Sequence, residues 1–155
     1  LLTTDTRSEY KLIYNGAENL ENYEVGLKIK AETSMLVNTG LYIGAKSPSN
    51  DQDKITALNV QIEKPADSIY YNISVFKFTA EGGYIEKVTS SSGIKMTNNE
   101  ITIKCVVLDG MLYVMNGESF YPLLTCTLPD VYQGGSVGIR SMLCYSKIKE
   151  FWIKK

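Results

Sequence analysis

Apolar and polar residues alternate with a period of two along almost the whole chain. Between Tyr23 and Ala31 the apolar set Tyr23, Val25, Leu27 and Ile29 interleaves with Glu24, Gly26, Lys28 and Lys30. That is the pattern of a strand with one face in a core and the other in water. Comparable runs cover about Glu9–Tyr14, Asn38–Ala45, Thr56–Glu63, Tyr70–Phe78, Tyr84–Val88, Glu100–Leu108, Met111–Met115, Phe120–Thr127, Ser136–Ser141 and Tyr145–Lys154. Helical periodicity is almost absent. Asp109-Gly110 is all that separates two of these runs, the strongest short-range hairpin signal. Asn116-Gly117, Gly82-Gly83 and Asn98-Asn99 mark further reversals, and Thr89-Ser90-Ser91-Ser92-Gly93 reads as a loop. The pattern predicts an all-β sandwich or barrel, and with no repeat and no linker, residues 1–155 read as one domain.

Length and charge narrow the function class. A chain of 155 residues buries roughly 70% of its unfolded surface, enough for a core without metal or disulfide support. Lys and Arg number 16 against 17 Asp and Glu, with no long block of one sign, so nucleic acid is not expected as a partner. No apolar run approaches the ~20 residues of a membrane span. Leu1-Leu2 is too short for the apolar segment of a signal peptide, so the chain is expected to be a mature or excised domain. Histidine is absent, which excludes serine–histidine and cysteine–histidine catalysis within the chain. Cys105, Cys126 and Cys144 show no CxxC spacing; they read either as buried free thiols or as one disulfide with a thiol left over. Odd pairing fits bacterial export better than a secreted eukaryotic domain.

Face assignment locates the candidate chemistry. With Leu41 and Ile43 directed into the core, Asn38, Gly40, Tyr42 and Gly44 face out, and Tyr42 stands over a floor of glycines. With Leu58, Val60 and Ile62 inside, Asn59, Gln61 and Glu63 face out; with Tyr71, Ile73 and Val75 inside, the outer row is Tyr70, Asn72, Ser74 and Phe76. Tyrosine rings beside amides suit a sugar, whose C–H face packs on an aromatic ring while its hydroxyls donate to and accept from amides. Tyr42, Asn59, Gln61, Tyr70 and Asn72 are therefore the candidate ligand contacts. Trp152 joins them: with Phe151 and Ile153 filling the core it faces the other way, where it covers a ligand or a neighbouring surface. The loop Ser47–Asp53 clusters oxygen ligands, with Asn50, Asp51 and Asp53 as candidates for calcium, the one cofactor considered, although it lacks the EF-hand glycine and terminal glutamate. Asn72-Ile73-Ser74 matches a glycosylation sequon, but in mid-strand.

Taken in order, Tyr23-Glu24-Val25-Gly26-Leu27-Lys28-Ile29-Lys30, Asn38-Thr39-Gly40-Leu41-Tyr42-Ile43-Gly44, the hairpin from Ile101 to Gly117, and Gly135-Ser136-Val137-Gly138-Ile139-Arg140 carry a resemblance. The chain resembles the concanavalin A-like, laminin-G-like jelly roll, a sandwich of two antiparallel sheets. Within it the chain is most similar to the lectin-like accessory sandwiches of bacterial glycoside hydrolases, including fructan-cleaving enzymes, and to the domain linked to sugar-keto-glycoside hydrolysis. The resemblance implies a carbohydrate partner, a companion catalytic domain and a secreted, periplasmic or cell-surface location. Two departures weigh against catalysis. The Glu-x-Asp-x-Glu strand that places paired acids on one face in the β-glucanase branch is missing, and Gly44 stands where the keto-glycoside branch often has arginine. The leading expectation is a non-catalytic carbohydrate-binding module. A glycoside hydrolase using Asp51, Asp53, Glu81 or Glu86, and a protein-interaction sandwich using Trp152, Val106 and Leu108, are the alternatives.

Overall fold

The computed structural model describes residues 2–3, 9–14, 19–46, 55–79, 84–117, 119–144 and 147–155. The strands are β1 (Leu2–Thr3), β2 (Glu9–Ile13), β3 (Tyr23–Lys30), β4 (Val37–Lys46), β5 (Thr56–Lys64), β6 (Tyr70–Phe78), β7 (Tyr84–Lys95), β8 (Glu100–Leu108), β9 (Met111–Asn116), β10 (Leu124–Thr127), β11 (Ser136–Met142) and β12 (Lys147–Lys154). They form two six-stranded sheets, in the orders β1-β12-β3-β8-β9-β10 and β2-β11-β4-β5-β6-β7. Every neighbouring pair is antiparallel.

The sheets bury their facing rows against each other, as alternation requires. Val25, Leu27, Ile29, Ile101, Ile103, Cys105 and Val107 of the first sheet meet Leu41, Ile43, Val60, Ile62, Ile73, Val75 and Ile139 of the second in one core. Strand β8 shows the period most cleanly, its side chains buried and half-buried by turns up to the exposed Leu108. At full burial each aliphatic side chain contributes about 1.5–3 kcal/mol of transfer free energy. All three cysteines are free thiols, Cys105 and Cys144 buried and Cys126 half-buried, which decides between the two expectations. Burial pushes the Cys105 thiol well above its ordinary pKa.

The described turns follow the sequence, while Gly82-Gly83 lies outside the described residues. Asp109 and Gly110 both adopt positive φ, at 49° and 73°, as a type I′ hairpin requires, and Asn98 and Asn99 do the same at 54° and 55°. Two elements depart from expectation. Strand β7 continues through Thr89–Gly93 to Lys95 instead of ending in a loop there. It is an edge strand whose outward serines are tolerated because its ladder with β6 absorbs repeated register shifts. Strand β10 starts at Leu124 rather than Phe120. Pro122 has no N–H for a ladder, and Ser119 Oγ accepts from the Tyr121 N–H at 3.1 Å in a local turn.

One buried charge closes the connection between β3 and β4. The Lys64 side chain is only 1% exposed, and its Nζ donates to the carbonyls of Thr33, Met35 and Pro65 at 2.9, 2.6 and 3.1 Å. Burial lowers its pKa, opposed by the charge of Asp67. Lys64→Met keeps the stem but leaves these carbonyls without the ammonium. It is expected to cost about 2–4 kcal/mol in urea unfolding with an unchanged m-value; a loss below about 0.5 kcal/mol would show that the contacts are not holding the loop.

Candidate functional site

The face of the second sheet that points away from the core is read most simply in cross-strand rows. Gly40, Gln61 and Ser74 stand side by side on β4, β5 and β6, with Arg140 of β11 next to Gly40. In the next row, moving toward Phe78 along β6, are Gly138, Tyr42, Asn59 and Phe76. In the row on the other side are Asn38, Glu63 and Asn72. Tyr70 follows two residues before Asn72 on β6, paired with Lys95.

The expected facing holds for Tyr42, Asn59 and Gln61, but their expected exposure does not. Tyr42 and Asn59 are 0% exposed and Gln61 is 1% exposed. At Gln61, Arg140 supplies the physical reason. Its side chain reaches across the gap above Gly40, and Nη1 donates to Gln61 Oε1 at 3.2 Å. Its guanidinium lies 5.1 Å from the ring centre of Phe78, and Nη2 meets Met142 Sδ at 3.1 Å. Tyr42 meets Phe78 edge to face, with ring centres 6.0 Å apart, and packs with Ala45, Ile55 and Ala57 in a second apolar cluster. The glycine floor is thus filled by an arginine instead of being left open. At Gly40 no other residue fits, since a Cβ there would overlap the Val60 carbonyl oxygen.

Hydrogen bonds run from this buried layer to the accessible rim. Asn59 Nδ2 donates to Gln61 Oε1 at 2.7 Å, and Gln61 Nε2 donates to Asn38 Oδ1 at 2.5 Å. Asn59 Oδ1 is buried without a hydrogen-bond partner among the described residues. Asn38, Glu63 and Asn72 are half-buried and Tyr70 is 50% exposed. Ser74 Oγ donates to Glu63 Oε2 at 3.2 Å, and the Gly93 N–H donates to Asn72 Oδ1 at 3.1 Å. Of the predicted contacts, Tyr70 and Asn72 therefore lie on the reachable part of the face, while Tyr42, Asn59 and Gln61 form the layer beneath and beside it. Asn38, Glu63 and Arg140 belong to the same array but were not among the candidates. Continuing the alternation of Ser136, Gly138 and Arg140 along β11 is the signal that finds the arginine.

Trp152 lies on the opposite side of the molecule, on the outer face of the first sheet. It pairs in register with Gly26, and a Cβ on Gly26 would overlap the indole ring. The indole covers bare backbone at a glycine, as aromatic residues do beside strand glycines. Its Nε1 donates to Glu24 Oε1 at 2.9 Å, and Lys154 Nζ is 2.9 Å from the same oxygen. Partial burial opposes ionisation of Glu24, yet the hydrogen bonds from Lys154 and Trp152 hold its carboxyl below the usual value. Val106 is half-buried and Leu108 47% exposed, on strand β8 of the same sheet.

The remaining candidates are of other kinds. Asn50, Asp51, Asp53 and Glu81 lie outside the described residues. Glu86 is a surface residue ion-paired with Lys77 at 3.1 Å. Among the described residues no group of three or more His, Cys, Asp or Glu is placed to hold a metal ion. A separate cleft of about 540 Å3 opens beside the Asp109-Gly110 turn, lined by Glu21, Asn22, Asp109 and Gln133 over Val107 and Leu128. Its amides orient loop backbone: Asn22 Oδ1 accepts from the Asp109 N–H, and Gln133 Nε2 donates to the Leu128 carbonyl.

With this geometry the chain can be set beside known proteins. No family model matches it, and no curated protein does. Solved structures do. The carbohydrate-binding module CBM66 from Bacillus subtilis superposes with a TM-score of 0.75 at 8% identity, over 99% of this chain and 86% of that one. The fold is a lectin-like jelly-roll sandwich. Lactose- and MES-liganded congerin II gives a TM-score of 0.60 at 7% identity, over 95% of this chain and all of its own. GH43B of the Bacteroides ovatus xyloglucan PUL gives 0.55 at 10% identity, over 87% of this chain but 27% of that one.

The contact between Trp152 and Gly26 yields a coupling test. Gly26→Ala forces the indole aside and Trp152→Ala uncovers the strand, each expected to cost about 1–3 kcal/mol. The double variant is expected to be more stable than the sum of the two losses predicts by about 1 kcal/mol, because the added methyl then has nothing to strike. Additive losses in denaturant unfolding would contradict the contact.

Proposed function

We propose that this chain is a non-catalytic carbohydrate-binding module that binds sugar on the outer face of the second sheet. The observation that carries this reading is the row Asn38, Glu63 and Asn72. Each side chain is held by a hydrogen bond from the protein, and among the described residues each keeps one further polar atom for a ligand. Such half-satisfied groups, fixed on strands rather than loops, are preorganised for hydroxyls and lose little rotamer freedom on binding. Tyr70 adds an exposed ring at the end of the row for the C–H face of a sugar. Beside the row, Arg140, Gln61 and Asn59 act as a positioning group.

Two of the structural neighbours are named for sugar binding or were solved with lactose, which supports the same reading. The sandwich corresponds to a minor part of the longer GH43B chain, which supports an accessory role beside a catalytic domain of a glycan-degrading protein. A secreted, periplasmic or cell-surface setting is proposed with it, since that is where polymeric glycans are met. Calcium is proposed with it as an optional ligand of Asn50, Asp51 and Asp53, on the strength of their oxygen donors alone.

Affinity electrophoresis against a panel of soluble polysaccharides, followed by calorimetry on those that retard the protein, tests the proposal. Tyr70→Ala is expected to weaken binding about tenfold, the worth of one stacking contact. Asn72→Ala is expected to weaken it about five- to tenfold, with melting temperatures near that of the parent because both positions are accessible. Trp152→Ala is expected to leave affinity unchanged. Retardation by no polysaccharide, or affinities unmoved by Tyr70→Ala and Asn72→Ala, would overturn it.

A further inference from the structure

The polarity of the row is dictated by groups that can only donate. A guanidinium has no acceptor, so the Gln61 atom 3.2 Å from Arg140 must be its carbonyl oxygen. Gln61 therefore turns its amide nitrogen to Asn38, whose Oδ1 accepts and whose Nδ2 is left without a partner among the described residues. A backbone N–H likewise only donates, so Gly93 fixes Asn72 with Oδ1 toward β7 and leaves Nδ2 without a partner among the described residues. Ser74 occupies Oε2 of Glu63 and leaves Oε1. Among the described residues, what remains across three neighbouring strands is donor, acceptor, donor, with about 5 Å between successive side chains.

We propose that this row selects uncharged sugars and that Glu63 is the residue that turns acidic ones away. The inference rests on the carbohydrate-binding reading above. A neutral sugar satisfies all three positions, because each hydroxyl both accepts from an amide N–H and donates to a carboxylate. The centre of the row is the only charged position in it. A uronic acid or sulfate seated on the row would bring a second negative charge to within about 5 Å of Glu63. The nearby cations do not offset this. Arg140 turns its guanidinium inward to Gln61, Met142 and Phe78 and is 9% exposed. Lys64 is buried on the carbonyls of the loop between β3 and β4. Lys95 is exposed, but it pairs with Tyr70 at the end of the row, not with Glu63. The like-charge contact at this spacing weakens binding by about tenfold at low salt, less as salt screens it.

The test compares affinities of the intact chain for a neutral glycan that it binds and for an otherwise matched glycan carrying uronic acids, at low and high ionic strength. The parent is expected to favour the neutral glycan by about tenfold at low salt, the ratio shrinking as salt rises. Glu63→Gln keeps an acceptor oxygen and removes the charge, so it is expected to bring the ratio close to one. Ser74→Ala keeps the charge and is expected to keep the preference. Equal affinity of the parent for both glycans, or a ratio that Glu63→Gln does not move, overturns the charge selection and leaves sugar binding standing. Binding of neither glycan class by the parent overturns sugar binding itself. A parent ratio of one overturns the proposal even if a variant fails to fold, and Glu63→Ala then stands in for Glu63→Gln in assigning a preference to the carboxylate.

Discussion

The contact between Arg140 and Gln61 is the constraint on which the outer face of the second sheet depends. A guanidinium removed from water must find acceptors, and a sheet interior offers few, because backbone carbonyls are already spent in ladders. Here a side-chain amide oxygen, a thioether and an aromatic ring share the task. Gly40 sits between the two on β4, where any Cβ would overlap the Val60 carbonyl oxygen. Once the arginine is placed, the orientation of Gln61 follows, and that of Asn38 follows from Gln61. A single buried cation thus sets which atom an accessible amide shows to water.

The two outer faces of the sandwich are built on different physics. The first sheet displays a lattice of opposite charges. Lys28 lies 3.1 Å from Glu100 and 3.7 Å from Glu150, Lys149 pairs with Glu100, and Lys30 lies 2.8 Å from Glu32. Such exposed pairs contribute about 0–1 kcal/mol each and weaken with salt. They suit a surface in contact with water and keep the sheet from pairing with others. The second sheet carries amides, hydroxyls and aromatic rings, with much of the face buried and hydrogen-bonded. Its polar groups are too constrained to act as a solvated coat, which is why it carries the binding proposal and the first sheet does not.

Much of the fold was legible because alternation is a strong local signal. Burial of Val25, Leu27 and Ile29 against Ile101 and Ile103 could be read from period two, as could the Asp109-Gly110 hairpin from its turn chemistry. Strand β7 was less legible, because an edge strand needs no apolar alternation to be held by its neighbour. The candidate site was legible in its facing but not in its depth. Tyr42, Asn59 and Gln61 point where alternation puts them, yet nothing local to β4 or β5 says that Arg140 of β11 reaches Gln61 or that Phe78 of β6 meets the ring of Tyr42. Trp152 was placed correctly on the outer side of its strand, but its distance from Tyr42 depends on β12 and β4 belonging to different sheets.

Period two, turn chemistry and composition were enough for most strands, the two faces of each, the Asp109-Gly110 and Asn98-Asn99 turns and the lack of histidine. These are properties of nearest neighbours, of turn dihedrals and of composition, and they need no knowledge of what packs where. Packing of the two sheets was needed to say which outward residues are reachable, which amide atom takes each hydrogen bond, and that Trp152 and Tyr42 lie on opposite faces. The physical reason is that burial and hydrogen-bond direction are set by groups brought together from distant segments. Arg140, Gln61 and Asn38 are separated by 79 and 23 positions along the chain, and their order of donors and acceptors exists only once β11, β4 and β5 lie side by side.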